Sequence, residues 1–307
     1  MPFGVTHAVI DPSVNTVRRR AFAGRQHLVS VIFHDGVEII EEYAFSNCES
    51  LRRLKLLGVR EIGDRAFQKC VALTKAEFGD RLETVGESAF YGCDYLTRIK
   101  MPTVRITEQW AFQNCFRLTD VEFGENLERI GFHSFFNCPN LYRIAIPLKY
   151  NLLPFHRSIG YQRRPQFDQC KNLRTVDIVG AEEIHSTISS FLMESWRDEM
   201  NKEINRINRE LANTDTKANR IQQWIRSVID KMEHYKAEHN RYLKEHMVHL
   251  ELAIWKAKLE DEEEDSTMKV HATKRVEIDE GSNREGKRIT SGADIIIKNV
   301  LPFLKLA

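Results

Sequence analysis

Between about residues 14 and 184 the apolar positions recur in units of 22 or 23 residues. In six places a Phe is followed three residues later by Cys: Phe45/Cys48, Phe67/Cys70, Phe90/Cys93, Phe112/Cys115, Phe135/Cys138 and Phe167/Cys170. The Phe residues are spaced by 22, 23, 22, 23 and 32, and Ala21-Phe22 opens an earlier copy with Arg25 in the Cys position. Each Cys is followed by a Leu (Leu51, Leu73, Leu96, Leu118, Leu141, Leu173), then by Leu54, Ala76, Ile99, Val121, Ile144 or Val176. Two residues further on comes Leu56, Phe78, Met101, Phe123, Ile146 or Ile178. The first copy supplies Leu28, Val31 and Phe33, which makes seven copies. Polar residues fill the gaps, so each copy predicts one short strand burying alternate side chains and a return segment anchored by its Phe. A unit this short closes no core, but stacked copies cover one another, with parallel strands in register at about 4.8 Å.

All six cysteines share one position of the unit. An even number allows a disulfide framework. Side chains projecting inward side by side from successive copies, however, have parallel Cβ vectors, and these do not reach the Cβ separation of about 3.8 Å that a disulfide needs. Ligand pairs of the C-x-x-C type are absent, which weighs against zinc. The expected role is that of a structural thiol, a small apolar side chain with a weak donor.

The motif A-F-x-x-C-x-x-L-x-x-I-x-F, with Ile62-Gly63, Val85-Gly86 and Ile130-Gly131 just upstream, resembles the BspA-like class of leucine-rich repeats. The resemblance covers residues 14–184. It implies an α/β repeat solenoid of about seven parallel rungs, with a Cys ladder (Cys48, Cys70, Cys93, Cys115, Cys138, Cys170) meeting backbone groups of the neighbouring turn. The chain departs from the motif at Arg25, at Ala76, in one extra residue within Val104–Trp110, and in a longer sixth unit.

After Ile178 the period changes. Ile188, Leu192, Trp196, Met200, Ile204, Ile207 and Leu211 recur every three or four residues, an amphipathic helix. Asn213-Thr214-Asp215-Thr216 offers turn and N-cap chemistry, and a second run follows from Ile221 to Ala257 without Pro or Gly. The expectation is a helical hairpin or coiled-coil region over 185–260, its second helix outrunning the first. The acidic run Asp261–Asp265 is expected to stop that helix and open a polar, disordered linker over 261–292, with an apolar docking segment over 293–307. Region 185–307 is similar to the C-terminal module of diatom repeat proteins, a likeness that implies no established activity.

Composition narrows the function. Lys and Arg (45) nearly balance Asp and Glu (44), and a formal charge of +1 argues against a nucleic-acid or anionic-membrane binder. No run reaches the ~18 apolar residues a membrane span needs, and the start lacks the basic-then-apolar pattern of a secretion signal. The expected location is intracellular, cytoplasmic rather than nuclear, although Lys274-Arg275 and Lys287-Arg288 are two halves of a weak import signal. There is no phosphate-cradling Gly loop, nucleophile elbow or Cys set beside a His. Glu245-His246-x-x-His249 lacks the i,i+4 His pair of a zinc protease helix. No catalytic residue, cofactor or metal is expected.

The candidate contact surface is the strand face that points to solvent. One column reads Ser30, Arg53, Lys75, Arg98, Asp120, Arg143, Thr175, and a second Ile32, Lys55, Glu77, Lys100, Glu122, Ala145, Asp177. Alternating Lys and Glu in the second should pair between neighbouring rungs. The first is a basic stripe suited to an acidic or phosphorylated segment, and equally a solvated face. A long insertion over 147–165 adds Tyr150, Phe155 and Tyr161 with Arg157, Arg163 and Arg164, either a contact loop or a cap for the last copy. Arg53, Lys55, Lys75, Arg98, Lys100, Arg143, Tyr150, Phe155 and Tyr161 are therefore the candidate partner-binding residues of a protein-protein interaction scaffold. The alternative is a structural protein that self-assembles into a homo-oligomer through the 217–260 helix.

Overall fold

A computed structural model describes residues 4–153, 166–180, 190–212, 214 and 216–272. Each copy contributes a longer strand: β1 (His7–Val9), β3 (Ser30–Ile32), β5 (Arg53–Leu56), β7 (Lys75–Phe78), β9 (Arg98–Met101), β11 (Asp120–Phe123), β13 (Arg143–Pro147) and β14 (Thr175–Val179). These form two parallel sheets, β1-β3-β5-β7 and β9-β11-β13-β14. Their register repeats the motif, with Arg53 beside Lys75, Leu54 beside Ala76 and Leu56 beside Phe78. The architecture is thus a parallel-strand solenoid followed by helices.

The sequence reading expected one strand per copy, and the structure contains a second. β2 (Thr16–Val17), β4 (Ile39–Ile40), β6 (Glu61–Ile62), β8 (Thr84–Val85), β10 (Ile106–Thr107) and β12 (Arg129–Ile130) make a six-stranded parallel sheet along the return segments. Each buries one side chain, such as Ile62 or Val85. Two residues are too few to show an alternation, so the period alone did not reveal them. The glycine after three of them (Gly63, Gly86, Gly131) follows from rung spacing: a Cβ on Gly86 would lie 2.7 Å from the carbonyl carbon of Gly63.

Between the sheets the Phe side chains stack from rung to rung. Ring centroids from Phe22 through Phe45, Phe67, Phe90, Phe112 and Phe135 to Phe167 are separated by 4.7 to 5.6 Å, with nearly parallel planes. Beside them each Cys donates its S–H to the Phe carbonyl of the preceding rung: Cys48 to Phe22, Cys70 to Phe45, Cys93 to Phe67, Cys115 to Phe90, Cys138 to Phe112 and Cys170 to Phe135, at 3.0 to 3.3 Å. All six thiols are free and buried, as the shared position requires. Loss of hydration pushes the Cys48 thiol up to about 12 and Cys70, Cys93, Cys138 and Cys170 well above the ordinary thiol value.

The turn that holds Phe and Cys inward places two residues per copy in the left-handed region. One precedes Ala-Phe or its equivalent (Tyr43, Arg65, Ser88, Trp110, His133) and one precedes Cys (Asn47, Lys69, Gly92, Asn114, Asn137, Gln169). Asn and Gly suit that conformation, whereas Lys69 and Trp110 accept it because the rungs on both sides fix the backbone.

The chain divides into two compact units, Met1–Lys236 and a second beginning at Ala237. The first includes the helices α1 (Ser190–Ala212) and the opening turns of α2 (Lys217–Ala272). These close the end of the stack, so the boundary expected near residue 184 is not a boundary between compact units. Terminal strand β14 would otherwise leave its backbone donors open. The Asn208 carboxamide oxygen instead accepts the Val176 N–H at 2.9 Å. Gln222 accepts from Leu153 N at 3.0 Å and donates to the Tyr150 carbonyl at 2.7 Å. The buried Lys217 amine donates to the Leu173 carbonyl of the last rung and to Leu211 at the end of α1. Ile207, Leu211, Ile221, Trp224, Ile225 and Val228 extend the apolar core into this cap. Lys231 bridges Glu199 and Glu203 of α1, and the Tyr235 hydroxyl donates to Glu199.

Thr216 caps α2, its carbonyl accepting from Arg220 N, in the turn where the sequence places an N-cap. Downstream, the acidic run does not stop the helix, which continues through Glu260–Asp265 to Ala272. The run holds no Pro or Gly, and Glu is a good helix former, so charge alone does not end it. In the second unit Met247, Val248, Leu252 and Trp255 are exposed.

Candidate partner interface

Alternation along the longer strands turns one side chain inward and the next outward. Leu54, Ala76, Ile99, Val121 and Ile144 are buried, and Arg53, Lys55, Lys75, Arg98 and Lys100 stand exposed. These five cations line adjacent rungs, with the first-column pairings Ser30–Arg53, Arg53–Lys75, Arg98–Asp120 and Asp120–Arg143 set by register. A groove of about 750 Å³ runs across Arg53, Lys75, Arg98 and Lys100, bordered by Leu57, Phe78 and Pro102.

Ion pairing divides this face. Arg143 is clamped by Asp120 at 2.9 Å and Asp177 at 2.5 Å, and Lys100 reaches Glu122 at 2.6 Å. The Lys–Glu pairing expected between rungs occurs at Lys100–Glu122. Glu77 pairs instead with Lys75 on its own strand, two residues away on the same face. Glu77 is held below the usual carboxylate range by Lys75, with further help from Lys55 and Arg53. Among the described residues, Arg53, Lys55 and Arg98 make no ion pair within 4 Å. Cationic excess therefore collects on β5, β7 and β9, whereas the acids of β11 and β14 are held in ion pairs, Asp120 and Asp177 by Arg143 and Glu122 by Lys100.

Other sequence-predicted residues lie elsewhere. Tyr150 is half-exposed under the Arg226 guanidinium of α2, 5.3 Å from its ring centre, at the capped end. Phe155 and Tyr161 fall outside the described residues, as does most of the 147–165 loop; Leu152 and Leu153 at its start are buried. Sequence reading passed over a threonine ladder along the strand entries. The Thr74, Thr97 and Thr119 hydroxyls donate to the carbonyls of Arg52, Thr74 and Thr97. It also passed over Tyr95, exposed with Arg117 stacked at 4.2 Å. The threonines stand one residue after Leu73, Leu96 and Leu118, but no apolar signal marks them.

Among the described residues, no group of three or more His, Cys, Asp or Glu side chains is arranged to hold a metal ion. No described helix is long and apolar enough to cross a membrane.

The family model described as "BspA type Leucine rich repeat region" matches residues 4–60 and 60–184 in six copies, more than half of the chain. The chain belongs to this family. Repeats of the BspA type generally serve as protein-interaction scaffolds. Among solved structures, the chain is similar to a leucine-rich repeat protein from Bacteroides ovatus, with 22% identity, TM-score 0.37, 56% of this chain and 55% of that one covered. One from Eubacterium ventriosum gives 23% identity and TM-score 0.42, covering 56% and 41%. The T. pallidum leucine-rich repeat protein gives 22% and 0.37, covering 57% and 70%. The chain thus spans about half the length of the first two. No curated protein matches it. The BspA-type match ends where the capping helices begin.

Proposed function

We propose that this BspA-type repeat protein is a non-catalytic protein-interaction scaffold that receives a partner on the exposed face of its longer strands. The observation that carries the reading is the set Arg53, Lys55 and Arg98, exposed on β5 and β9 and without an ion pair among the described residues, with Arg53 and Arg98 lining a groove. A local excess of one sign of charge favours an oppositely charged partner. The 147–165 loop, with Tyr150, Phe155 and Tyr161, remains a second contact on sequence grounds. The test is capture of partners from native lysate with wild type and with Arg53→Glu/Lys55→Glu/Arg98→Glu. Capture should be lost with the unfolding temperature unchanged, and undiminished capture sinks the assignment of this face.

One observation favours the self-assembly reading. Met247, Val248, Leu252 and Trp255 are exposed on the helix beyond Ala237, so any oligomer would use that part rather than the whole 217–260 stretch, whose opening turns are spent on the cap. Sedimentation decides it, because a strict monomer at high concentration removes the reading.

A further inference from the structure

The strand face is not uniform at its other end. On β1 and β3, Val9 and Ile32 are register partners on adjacent strands, both directed outward, and are 67% and 62% exposed. They occupy the column that continues as Lys55, Glu77 and Lys100. Across the rungs the face therefore reads as three zones: an aliphatic pair on β1 and β3, a cationic excess on β5 to β9, and acidic side chains held in ion pairs from β11 onward. Single exposed aliphatics are ordinary on soluble proteins. Two in register, on the strands next to the one that carries Arg53 and Lys55, form with Arg98 beyond them an amphipathic strip.

We infer that the strip recognises an extended acidic peptide carrying a pair of aliphatic side chains at one end, laid across the strands from β1 to β9. This rests on the scaffold reading above and specifies its partner. At about 4.8 Å per strand the strip is about 19 Å long, which about six extended residues span at 3.3 Å each. The aliphatic pair covers Val9 and Ile32, and the carboxylates beyond it meet Arg53, Lys55 and Arg98. A phosphoryl group is a compact dianion best met by cations converging on one point. Here Arg53 and Arg98 are two strands apart, about 10 Å at that spacing, which suits several single carboxylates.

The test is a fluorescence-anisotropy titration of the full chain with labelled twelve-residue peptides, made in both chain polarities. One carries two leucines at one end and four glutamates at alternate positions beyond them. Controls carry Ser for Leu, Gln for Glu, or one phosphoserine in the Gln background. The Leu/Glu peptide should bind most tightly. Val9→Thr/Ile32→Thr should weaken it about tenfold, the scale of losing two partly buried aliphatic contacts, while leaving the Ser/Glu peptide within about twofold. Unchanged Leu/Glu binding in that variant overturns the aliphatic zone, and tighter binding of the phosphoserine peptide overturns the carboxylate assignment. If no peptide binds while Arg53→Glu/Lys55→Glu/Arg98→Glu still abolishes lysate capture, the peptide chemistry falls and the scaffold face stands. Failure of both removes the face itself.

Discussion

Trp224 and Trp255 belong to the same helix, yet the first is 2% exposed and the second 69%. Both are large and apolar, but Trp224 lies on the helix's apolar stripe, whereas Trp255, 31 residues on at about 100° each, falls on roughly the opposite side. What each part of the helix meets also differs: α1 and the last rung cover the turns around Trp224, and among the described residues of its own unit nothing covers Trp255. A repeated stack behaves like the first case at every rung, because each Phe, Cys and Leu set is sheltered by an identical neighbour. Apolar content alone does not make a core; cover does.

The largest expected effect comes from pH. Burial keeps all six thiols protonated above 9.0, the ordinary value at which the unfolded chain ionises them, Cys48 up to about 12. Their stabilisation is complete below about pH 9 and is lost as pH rises above it, at up to roughly 1.4 kcal/mol per thiol for each pH unit. Urea unfolding between pH 8 and 10.5 should show stability falling steeply, and Cys93→Ala should lower the slope by about one thiol's share. A flat profile contradicts the sealed ladder.

Next in size are the two aromatic truncations within the covered region. Phe90→Ala, between Phe67 and Phe112 in the stack, and Trp224→Ala in the cap should each cost about 3–5 kcal/mol by urea unfolding, since neither site can collapse around the gap. A loss below about 1 kcal/mol at either would contradict its packing role. Gly86→Ala should cost about 1–3 kcal/mol, because the added methyl meets the Gly63 backbone rather than a movable side chain. Smallest of all, Leu252→Ser/Trp255→Ser should move the unfolding free energy by less than about 0.5 kcal/mol. A larger loss in the monomer would mean that this part of the helix is covered after all, erasing the contrast with Trp224.

The repeat made the Phe, Cys and Leu columns legible, because a position that recurs with one phase can face only one way. Legibility ended where no period operates. The two-residue return strands are too short to alternate, and Lys69 and Trp110 take left-handed geometry that their side chains do not advertise. The acidic run near residue 261 looked like a stop when read by charge, although nothing in its backbone chemistry ends a helix. At the candidate interface the columns correctly placed Arg53, Lys55, Lys75, Arg98 and Lys100 on one face. They could not say that Asp120 and Asp177 both turn to Arg143, or that Glu77 chooses Lys75 over Lys55, because those choices depend on side-chain reach across rungs.

The Asn208 contact to Val176 has a consequence for assembly. A strand from another molecule that approached the β14 edge would find its first docking point already taken and a helix lying where its side chains must go. At that edge the molecule cannot seed the sheet-to-sheet growth by which open strand stacks aggregate, so concentrated protein should resist fibre formation from that side.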